Sequence, residues 1–343
     1  MSDLFRDLLK KETPAMLDGF SDDDLTRTYS ASELLRRITT QRSDNQEPAA
    51  LFTDIDKTFY RIGKEDASRA LYEKMETKGW PIIVVTGNDL AEVVSRIEKK
   101  ELPAFHAIVG SVGTELWVLH QKNGELPQYE QDIFYDRLLK KSGFDRSGIV
   151  RSARAMINDF SRIHPEWKFD FQHPEKERQP GLSVDVTYQP FKVSFYFFAV
   201  SEAAGVRKVT EAVRSYFPNQ SLVTCGEVDY NSQLSYDEPM KKYCLDILAT
   251  TKSGAVQYLR QLLGITRGII AGDSGNDVDM LLESSPLTAV LVGGYEPYAR
   301  SAIEAAANHG VYVDQDLKRQ AAESILWVGE YTNWGSANTS SSH

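Results

Sequence analysis

The sequence predicts an α/β protein whose parallel-sheet core is interrupted by an inserted α+β domain. Short apolar runs such as residues 81–85 alternate with stretches of helical periodicity, which is the pattern of strand–helix–strand units. Several of these runs end in polar residues, as strands do where a parallel sheet meets its ligands. Between about residues 125 and 247 the apolar period changes to two, which indicates an antiparallel sheet. The core is therefore expected to come from two separate parts of the chain.

Composition limits the classes of function. At 343 residues the chain exceeds the ~100–200 residues of a usual domain, which favours two domains or one large insertion. The net charge of −10 argues against nucleic-acid binding, because phosphate backbones are bound by clustered Lys and Arg. No apolar run approaches the ~20 residues that span a membrane, and no signal peptide is recognisable, so we expect a cytoplasmic protein. Cys225 and Cys244 match neither a redox nor a zinc motif.

Residues 1–48 precede the first core strand and are predicted to form a helical extension. Apolar residues at helical spacing over 4–9, and again from 21 to 38, predict two amphipathic helices. The polar run 40–48 predicts a linker. Two uses of these helices are expected as alternatives, namely covering a face of the core or forming a contact with a second copy of the chain.

The first part of the core is expected over residues 49–124. Its apolar runs are long enough for one buried strand each, and the stretches between them have the spacing of helices with one apolar face. Such connections make the strands parallel, with right-handed crossovers. The predicted elements are strands at 49–53, 81–85 and 107–110, helices at 67–78 and up to 97, and a hairpin turn at 111–117.

The inserted domain is expected over 125–247, the second part of the core over 248–330 and a flexible tail over 331–343. The tail is rich in Ser, Asn, Thr and Gly, a composition typical of disorder. Within the insertion we predict helices at 135–163 and 202–216 and strands at 167–171, 192–197, 221–224 and 243–248. In the second part of the core we predict helices at 253–263, from about 278, at 297–307 and at 317–327, with strands at 268–271, 287–292 and 311–313.

Polar residues that follow the predicted core strands, and one that precedes a predicted helix, are expected to lie at one edge of the core sheet. Mg²⁺ prefers about six oxygen ligands, and a transferring phosphoryl group needs cations and oriented donors around it. A carboxylate can also attack phosphorus and form an aspartyl phosphate. Acids, a hydroxyl and an ammonium together therefore predict a phosphoryl-transfer site. The residues are Asp54, Asp56, Thr86, Lys252, Asp273 and Asp277.

The pair Asp54 and Asp56 taken alone has a plainer alternative, an Asp-rich turn after a buried strand. Alternate residues of an extended strand share a face, so two ionised carboxylates there repel each other and favour a bound cation. The polar residues after the other strands decide between these interpretations, because a simple turn does not require them.

In order and spacing these residues resemble the haloacid dehalogenase (HAD) superfamily of aspartate-nucleophile phosphatases. The D-x-D-x-T motif of the family corresponds to residues 54–58, and its G-D-x-x-N-D motif to residues 272–277. The resemblance implies a Rossmann-like core sheet, and the insertion is similar to the α+β cap of class IIB (C2B type). Stretches similar to sucrose-phosphate phosphatases are 111–115, 192–196, 245–248 and 272–277, within a likeness that covers about 50–310.

The resemblance implies roles for the acidic residues. Asp54 is the expected nucleophile, and Asp56 is the expected general acid for the leaving sugar oxygen and then the base that activates water. Mg²⁺ is the expected cofactor. Its expected ligands are Asp54, the main-chain carbonyl of Asp56 and Asp273, with Asp277 as an additional or indirect ligand.

The resemblance also implies contacts with the substrate. Thr86 and Lys252 are expected to bind the phosphate, and Lys252 also to restrain Asp54. The expected substrate-binding residues are Gly87, Asn88, Lys192 and Asn276.

Several of these residues have simpler alternatives. Lys192 alone is more typical of a solvated charge at a strand end, and Asn276 of a cap for the following helix. Asp246 lies in an alternating strand and is interpreted as structural. Aromatic residues in an antiparallel sheet are more often core than sugar-stacking, as for Trp167, Phe169, Phe195 and Tyr196.

Three positions depart from the family pattern. Asn88 stands where sucrose-phosphate phosphatases have an arginine, Lys57 where a small or amide residue is usual, and Ser253 where glycine is usual. The departures concern the choice of sugar more than the chemistry.

The leading hypothesis is a Mg²⁺-dependent phosphomonoesterase for sucrose 6-phosphate or a similar small-molecule sugar phosphate. The alternatives are another glycosyl phosphate or a mannosyl- or glucosyl-phosphoglycerate as substrate, transfer to a second sugar, or a non-catalytic module. That module would bind a sugar phosphate or a partner glycosyltransferase, with the N-terminal helices as the expected contact for such a partner.

Overall fold

The computed structural model describes most of the chain, and two sheets organise it. The described residues are 32–120, 127–163, 168–171, 189–199, 202–218, 221–228, 241–306, 310–316 and 318–334. The described residues up to 131 contain α1 (Glu33–Ser43), β1 (Ala49–Thr53), α2 (Glu65–Lys78), β2 (Ile82–Val85), α3 (Leu90–Glu98), β3 (Ala107–Gly110), β4 (Glu115–His120) and β5 (Gln128–Gln131).

The middle and the end of the chain supply the remaining elements. The middle contains α4 (Ile133–Lys141), α5 (Arg146–Ile163), β6 (Lys168–Phe171), β7 (Lys192–Ala199), α6 (Glu202–Tyr216), β8 (Ser221–Val228) and β9 (Lys241–Leu248). The end contains α7 (Lys252–Leu263), β10 (Arg267–Gly272), α8 (Val278–Leu282), β11 (Thr288–Leu291), α9 (Pro297–Ala305), β12 (Val311–Val313) and α10 (Ala322–Tyr331).

Over the described residues the core is an eight-stranded sheet in the order β12-β11-β10-β1-β2-β3-β4-β5. The strands from β12 to β3 are parallel, and β4 and β5 continue antiparallel. Thr53 at the end of β1 lies opposite Ala271 of β10 and Val84 of β2. The ends of these three strands therefore lie side by side at the same edge of the sheet, as predicted from the polar residues that follow the strands.

The central strands are apolar throughout because helices cover both faces of the sheet. Every residue of β1 and β2 is buried, which is the pattern of a parallel sheet rather than of a half-exposed one. One face packs against α1, α4, α7, α8 and α9, and the other against α2, α3 and α10. The predicted α/β core is confirmed.

The helix α1 belongs to the core and is not a loose appendage. Leu34 and Ile38 are fully buried against the first face of the sheet. The Gln41 side chain donates to the carbonyl of Ala49 at 3.1 Å and accepts from its N–H at 2.7 Å, which ties the helix to β1. Of the two expected uses, the described part of the extension therefore covers the core, and α1 continues to Ser43 through part of the predicted linker. The helix predicted at residues 4–9 lies outside the described residues.

The insertion begins later in the chain than residue 125. The strand β5 joins the core sheet beside β4, and the buried face of α4, with Tyr135 and Leu138, packs into the core cluster. The helical region predicted over 135–163 is divided into α4 and α5 by a turn in which Gly143 has φ +70°. The inserted unit, called the cap below, therefore comprises the described elements between residues 146 and 248.

The cap is the α+β unit that the period-two alternation predicted. Its strands form an antiparallel sheet in the order β6-β7-β9-β8. The helices α5 and α6 cover one face through an apolar cluster that includes Met156, Val213 and Leu245. The strand β8 contacts the core turn at 275–277, and Gln189 donates to the Ser111 hydroxyl at 2.9 Å. The cap therefore sits against the edge of the core where the polar strand ends emerge.

The C-terminal region differs from the prediction in two ways. The closing helix starts at Ala322 rather than near 317, because Asp314 and Asp316 accept hydrogen bonds from main-chain N–H groups two residues ahead and form turns. The chain also stays packed beyond the predicted start of the tail at residue 331. The Trp334 ring is buried and meets Trp80 edge-on, with 6.1 Å between the ring centroids. Residues 335–343 of the predicted tail lie outside the described residues.

No helix among the described residues combines the length and the apolar character needed to cross a lipid bilayer.

Candidate active site

Three carboxylates and one ammonium group converge where β1 and β10 end. Asp54 follows β1, Asp273 follows β10 and Asp277 ends the short 3₁₀ turn Gly275–Asp277, and each has an oxygen within 4.8 Å of the others. Lys252 opens α7 and is fully buried. Its Nζ lies 3.0 Å from Oδ1 of Asp54 and 2.6 Å from Oδ1 of Asp277. The structure thus brings together four of the residues that the sequence singled out.

The charges of this cluster do not balance. Burial raises the pKa of the Asp54 carboxyl to about 7, although Lys252 opposes the shift. Burial, Asp277 and Asp54 together raise the pKa of Asp273 well above its ordinary value. Burial by itself lowers the pKa of Lys252, but the two carboxylates it contacts raise it overall. Three acids around one cation therefore form a site that favours further positive charge.

Asp277 has most of its bonding capacity engaged by the protein. Its Oδ2 accepts the main-chain N–H groups of Asp273 and Ser274, both at 3.0 Å, and the Ser274 hydroxyl at 3.1 Å. Its Oδ1 accepts from Lys252. A Cβ at Gly272 would lie 2.4 Å from the Asp277 Cβ, so glycine is required there. Asp277 therefore holds the loop and the lysine in place.

Thr58, the last residue of the D-x-D-x-T motif, acts on Asp273. Its hydroxyl is buried and donates to Oδ1 of Asp273 at 2.6 Å. The sequence placed Thr58 in the motif without a role. Its partner is 215 positions away in the chain. The two residues meet because β1 pairs with β10, which the motif alone does not reveal.

Thr86 lies beside the cluster, at the end of β2. It is buried, and its Oγ1 accepts the main-chain N–H of Asn88 at 3.2 Å. Its carbonyl accepts from Val112 at 2.9 Å, in the turn after β3. A Cβ at Gly113 of the same turn would lie 2.4 Å from the Thr251 carbonyl. The turn therefore packs tightly between Thr86 and the start of α7 that carries Lys252.

Gly87 and Asn276 are neighbours. A Cβ on Gly87 would lie 3.8 Å from Nδ2 of Asn276. The Asn276 Oδ1 accepts from the Ser274 hydroxyl at 3.0 Å. Asn276 does not cap the following helix, whose N-cap position is Asp277, so the simpler alternative for this residue is wrong.

Asp56 stands apart from the carboxylate cluster. Its side chain is 52% exposed and bonds Arg96 and Asn88, with Oδ1 2.8 Å from Arg96 Nη1 and Oδ2 3.1 Å from Asn88 Nδ2. Arg96 was missed by sequence reasoning, because a basic residue in the last turn of a helix is ordinary. A guanidinium is therefore present close to Asn88, although no arginine follows Gly87.

In the cap, Lys192 is not the solvated charge that its position alone suggested. Its side chain is 11% exposed, and its Nζ lies 3.3 Å from Oδ2 of the buried Asp246. Asp246 also accepts from the Ser194 hydroxyl at 2.5 Å, which agrees with its structural interpretation. A role of Lys192 toward a sugar stays a prediction. The side chains of Trp167, Phe169, Phe195 and Tyr196 lie outside the described part of the chain.

Two departures from the family pattern have local explanations. Ser253 is buried and its hydroxyl donates to Oε2 of Glu283 at 2.5 Å, so the hydroxyl that replaces a glycine has a partner on the chain after α8. Lys57 is exposed and has φ +60°. Its side chain therefore points to solvent from a left-handed position of the loop between Asp56 and Thr58.

Comparison with models of known families shows which family the chain belongs to. Residues 47–325 match the family model described as sucrose-6F-phosphate phosphohydrolase. The chain belongs to this family. This confirms the expected likeness to the sucrose-phosphate phosphatases, and the class of enzyme is that of the sugar-phosphate phosphatases, which are phosphoric monoester hydrolases.

Three solved structures are similar to the chain, and the first of them shares its fold. The sucrose-phosphatase from Synechocystis sp. PCC6803, crystallised with sucrose and phosphate, aligns with a TM-score of 0.59 at 16% identity over 85% of this chain and 100% of that one. A HAD subclass IIB sugar phosphatase aligns at 0.46 and 15% identity over 83% and 99%. A haloacid dehalogenase-like hydrolase from Bacillus subtilis aligns at 0.45 and 15% identity over 86% and 98%. No curated protein sequence matches significantly.

Proposed function

We propose that the protein is a Mg²⁺-dependent phosphomonoesterase that hydrolyses a phosphorylated sugar through an aspartyl phosphate on Asp54. The observation that carries this proposal is the buried cluster of Asp54, Asp273 and Asp277 around Lys252. A buried cluster with excess negative charge is a costly arrangement for a structural role, since uncompensated charge opposes folding. It suits a site that binds a cation and a phosphate.

The donor set fits Mg²⁺. Carboxylate oxygens are the hard ligands that this ion prefers. Burial raises the pKa values of Asp54 and Asp273, so a bound cation would favour their ionised forms. Asp54, Asp273 and the main-chain carbonyl of Asp56 would hold the ion. Asp277, already bonded to Lys252 and to loop N–H groups, would orient the site. When bound, Mg²⁺ supplies positive charge for the phosphoryl oxygens.

The reaction proceeds in two displacements at phosphorus. In the first, an oxygen of Asp54 attacks phosphorus, the bond to the sugar oxygen breaks, and that oxygen keeps the electron pair and takes a proton from Asp56. In the second, water attacks the aspartyl phosphate and gives a proton to Asp56, and the bond from phosphorus to the Asp54 oxygen breaks. Sugar and inorganic phosphate are released and both carboxyl groups return to their starting state.

Lys252 and Thr86 serve the phosphate. Lys252 fixes the Asp54 carboxylate through Oδ1 at 3.0 Å and supplies charge next to the attacking group. Thr86 lies at the end of the neighbouring strand, where its hydroxyl can donate to a phosphoryl oxygen. Its Oγ1 is already oriented by the N–H of Asn88.

Sucrose 6-phosphate is the first substrate to test. Membership of the family supports it, as does the proximity of Gly87 to Asn276. Glycosyl phosphates and glucosyl- or mannosyl-phosphoglycerates come second, since Asn88 and Lys57 differ from the family pattern at the substrate side.

A screen of phosphate release from sugar phosphates tests the proposal. With Mg²⁺ present, the expected result is release from sucrose 6-phosphate or another sugar phosphate, lost on chelation and lost in Asp54→Asn. The buried Asp54 is nearly isosteric with Asn, so the variant keeps the fold and its circular dichroism serves as the control. Release that persists in Asp54→Asn, or no release from any sugar phosphate, overturns the proposal and favours a binding module.

A further inference from the structure

Arg96 holds the Asp56 carboxylate from one side while Asn88 holds it from the other. Arg96 Nη1 lies 2.8 Å from Oδ1 and Asn88 Nδ2 lies 3.1 Å from Oδ2. Arg96 comes from α3 and Asn88 from the chain after β2, so the two donors belong to different elements. Rotation of the carboxylate breaks at least one of these bonds, which fixes its direction.

The guanidinium is itself held in place. Its side chain is 15% exposed, and it lies over the ring of Tyr60, 5.3 Å from the centroid. Its Nε lies 3.5 Å from Oε2 of Glu101. The main chain of Tyr60 forms an isolated β-bridge with Asp56. Arg96 therefore contacts both the side chain of Asp56 and the ring of the residue that pairs with the backbone of Asp56.

Stability alone does not account for this arrangement. An ion pair with one partner half exposed contributes little to folding, and Asp56 is 52% exposed. A half-exposed carboxylate without hydrogen-bond partners would sample several rotamers. Here both of its oxygens are engaged at the mouth of a buried phosphoryl-transfer site.

We propose that Arg96 is a positioning residue that aims the Asp56 carboxyl group at the leaving-group oxygen of the substrate. The inference rests on the proposed function, in which Asp56 transfers the proton. The contacts of the Arg96 guanidinium are with Asp56, Glu101 and the Tyr60 ring rather than with the Asp54 carboxylate. Arg96 acts by keeping the proton donor within reach of the oxygen that leaves, since proton transfer requires hydrogen-bond distance.

A pair of substrates of similar shape separates this role from a general structural one. p-Nitrophenyl phosphate releases a stabilised phenolate and needs little protonation. p-Nitrobenzyl phosphate releases an alkoxide and depends on a proton donor. The readout is the ratio of kcat/KM for the benzyl ester to kcat/KM for the phenyl ester, with Mg²⁺ present. The ratio is independent of the fraction of folded protein, because both constants come from one preparation.

Arg96→Met is expected to lower this ratio about 10-fold or more, since general acid catalysis contributes roughly 10²–10⁴-fold. Arg96→Lys keeps the charge without the planar fork and is expected to recover part of the ratio. Asp56→Asn sets the ratio for complete loss of the proton donor, and adding Arg96→Met to it is expected to lower the ratio no further. Arg69→Met, an exposed arginine on α2, is the matched control and keeps the wild-type ratio.

An equal fall of both constants in Arg96→Met, or no fall in either, overturns the positioning role. A further decrease of the ratio in the double variant also overturns it, because Arg96 would then act independently of Asp56. If the unaltered protein releases phosphate neither from these esters nor from any sugar phosphate with Mg²⁺, the proposed function itself fails. The two failures are therefore distinguishable.

Discussion

The core edge and the cap sheet each hold a lysine against buried carboxylates, but they assemble these groups in different ways. In the core, Lys252 meets Asp54 and Asp277 from separate elements, 198 and 25 positions away. In the cap, Asp246 lies opposite Ser194 on the neighbouring strand, and Lys192 of that strand reaches it at 3.3 Å. The core cluster depends on the whole parallel sheet, whereas the cap cluster is formed within one antiparallel sheet.

This difference suggests a division of roles. A cluster that requires three elements to meet tolerates little change, which suits chemistry common to a superfamily. A cluster made by cross-strand neighbours can change without disturbing the core, which suits selection among sugars. The following predictions test this division, beginning with the largest expected effect.

Removing the core lysine is expected to affect both activity and stability. Lys252→Met leaves Asp54 and Asp277 buried without their cation, which costs about 3–5 kcal/mol of unfolding free energy and on the order of 10²–10³-fold in kcat. Urea unfolding without Mg²⁺ and steady-state kinetics measure the two effects. Lys64→Met is the control, because the pair of Lys64 with Glu323 is about one-third exposed and contributes roughly 0–1 kcal/mol. Equal losses of stability in the two variants would contradict the prediction.

Removing the hydroxyl that orients Asp273 is expected to weaken cation binding. Thr58→Val keeps the shape of the side chain and deletes the 2.6 Å bond to Asp273. Partners that orient a metal ligand typically contribute about 10–100-fold in metal affinity or activity. The Mg²⁺ concentration for half-maximal phosphate release is therefore expected to rise about 10-fold or more. Thr77→Val, on the exposed side of α2, controls for the substitution. An unchanged Mg²⁺ requirement would show that Asp273 needs no orienting partner.

In the cap, changing Lys192 is expected to alter substrate choice more than chemistry. Lys192→Met is expected to raise KM for the best sugar phosphate roughly 10-fold, because one hydrogen bond to a charged group contributes about that much to binding. The kcat for p-nitrophenyl phosphate is expected to change less. Lys140→Met, which removes an exposed lysine paired with Asp136 on α4, is the control. If both substrates lose activity equally, the division of roles between core and cap is wrong.

Mg²⁺ is expected to stabilise the protein more at pH 8 than at pH 5.5. Because burial raises the pKa of Asp54 to about 7, the cation-free protein loses stability as pH rises from the ordinary carboxyl range toward 7. The unfolded chain ionises first there, so it binds fewer protons than the folded one. At pH 8 the ionised cluster binds Mg²⁺, which adds about 2.7 kcal/mol at 100 times Kd. Thermal unfolding with Mg²⁺ and with chelator measures the difference. An equal Mg²⁺ effect at both pH values would contradict it.

The chemistry-bearing residues were predictable because they are local features of strand ends. Asp54, Asp273 and Thr86 follow short apolar runs, and parallel strands deliver such residues to one edge. The cap was predictable from its period-two alternation. Its starting point was not, because Tyr135 and Leu138 have the same helical spacing whether they face the core or a separate domain.

The sequence by itself determined the α/β class, the inserted antiparallel unit and the acids, hydroxyl and lysine of the site, since each depends on periodicity or on a residue following a strand. Only the tertiary structure decided that Arg96 meets Asp56, 40 positions away, that Thr58 orients Asp273, and that Trp334 closes over Trp80. These contacts depend on distances set by packed elements, and no local pattern encodes which distant side chain will lie within reach.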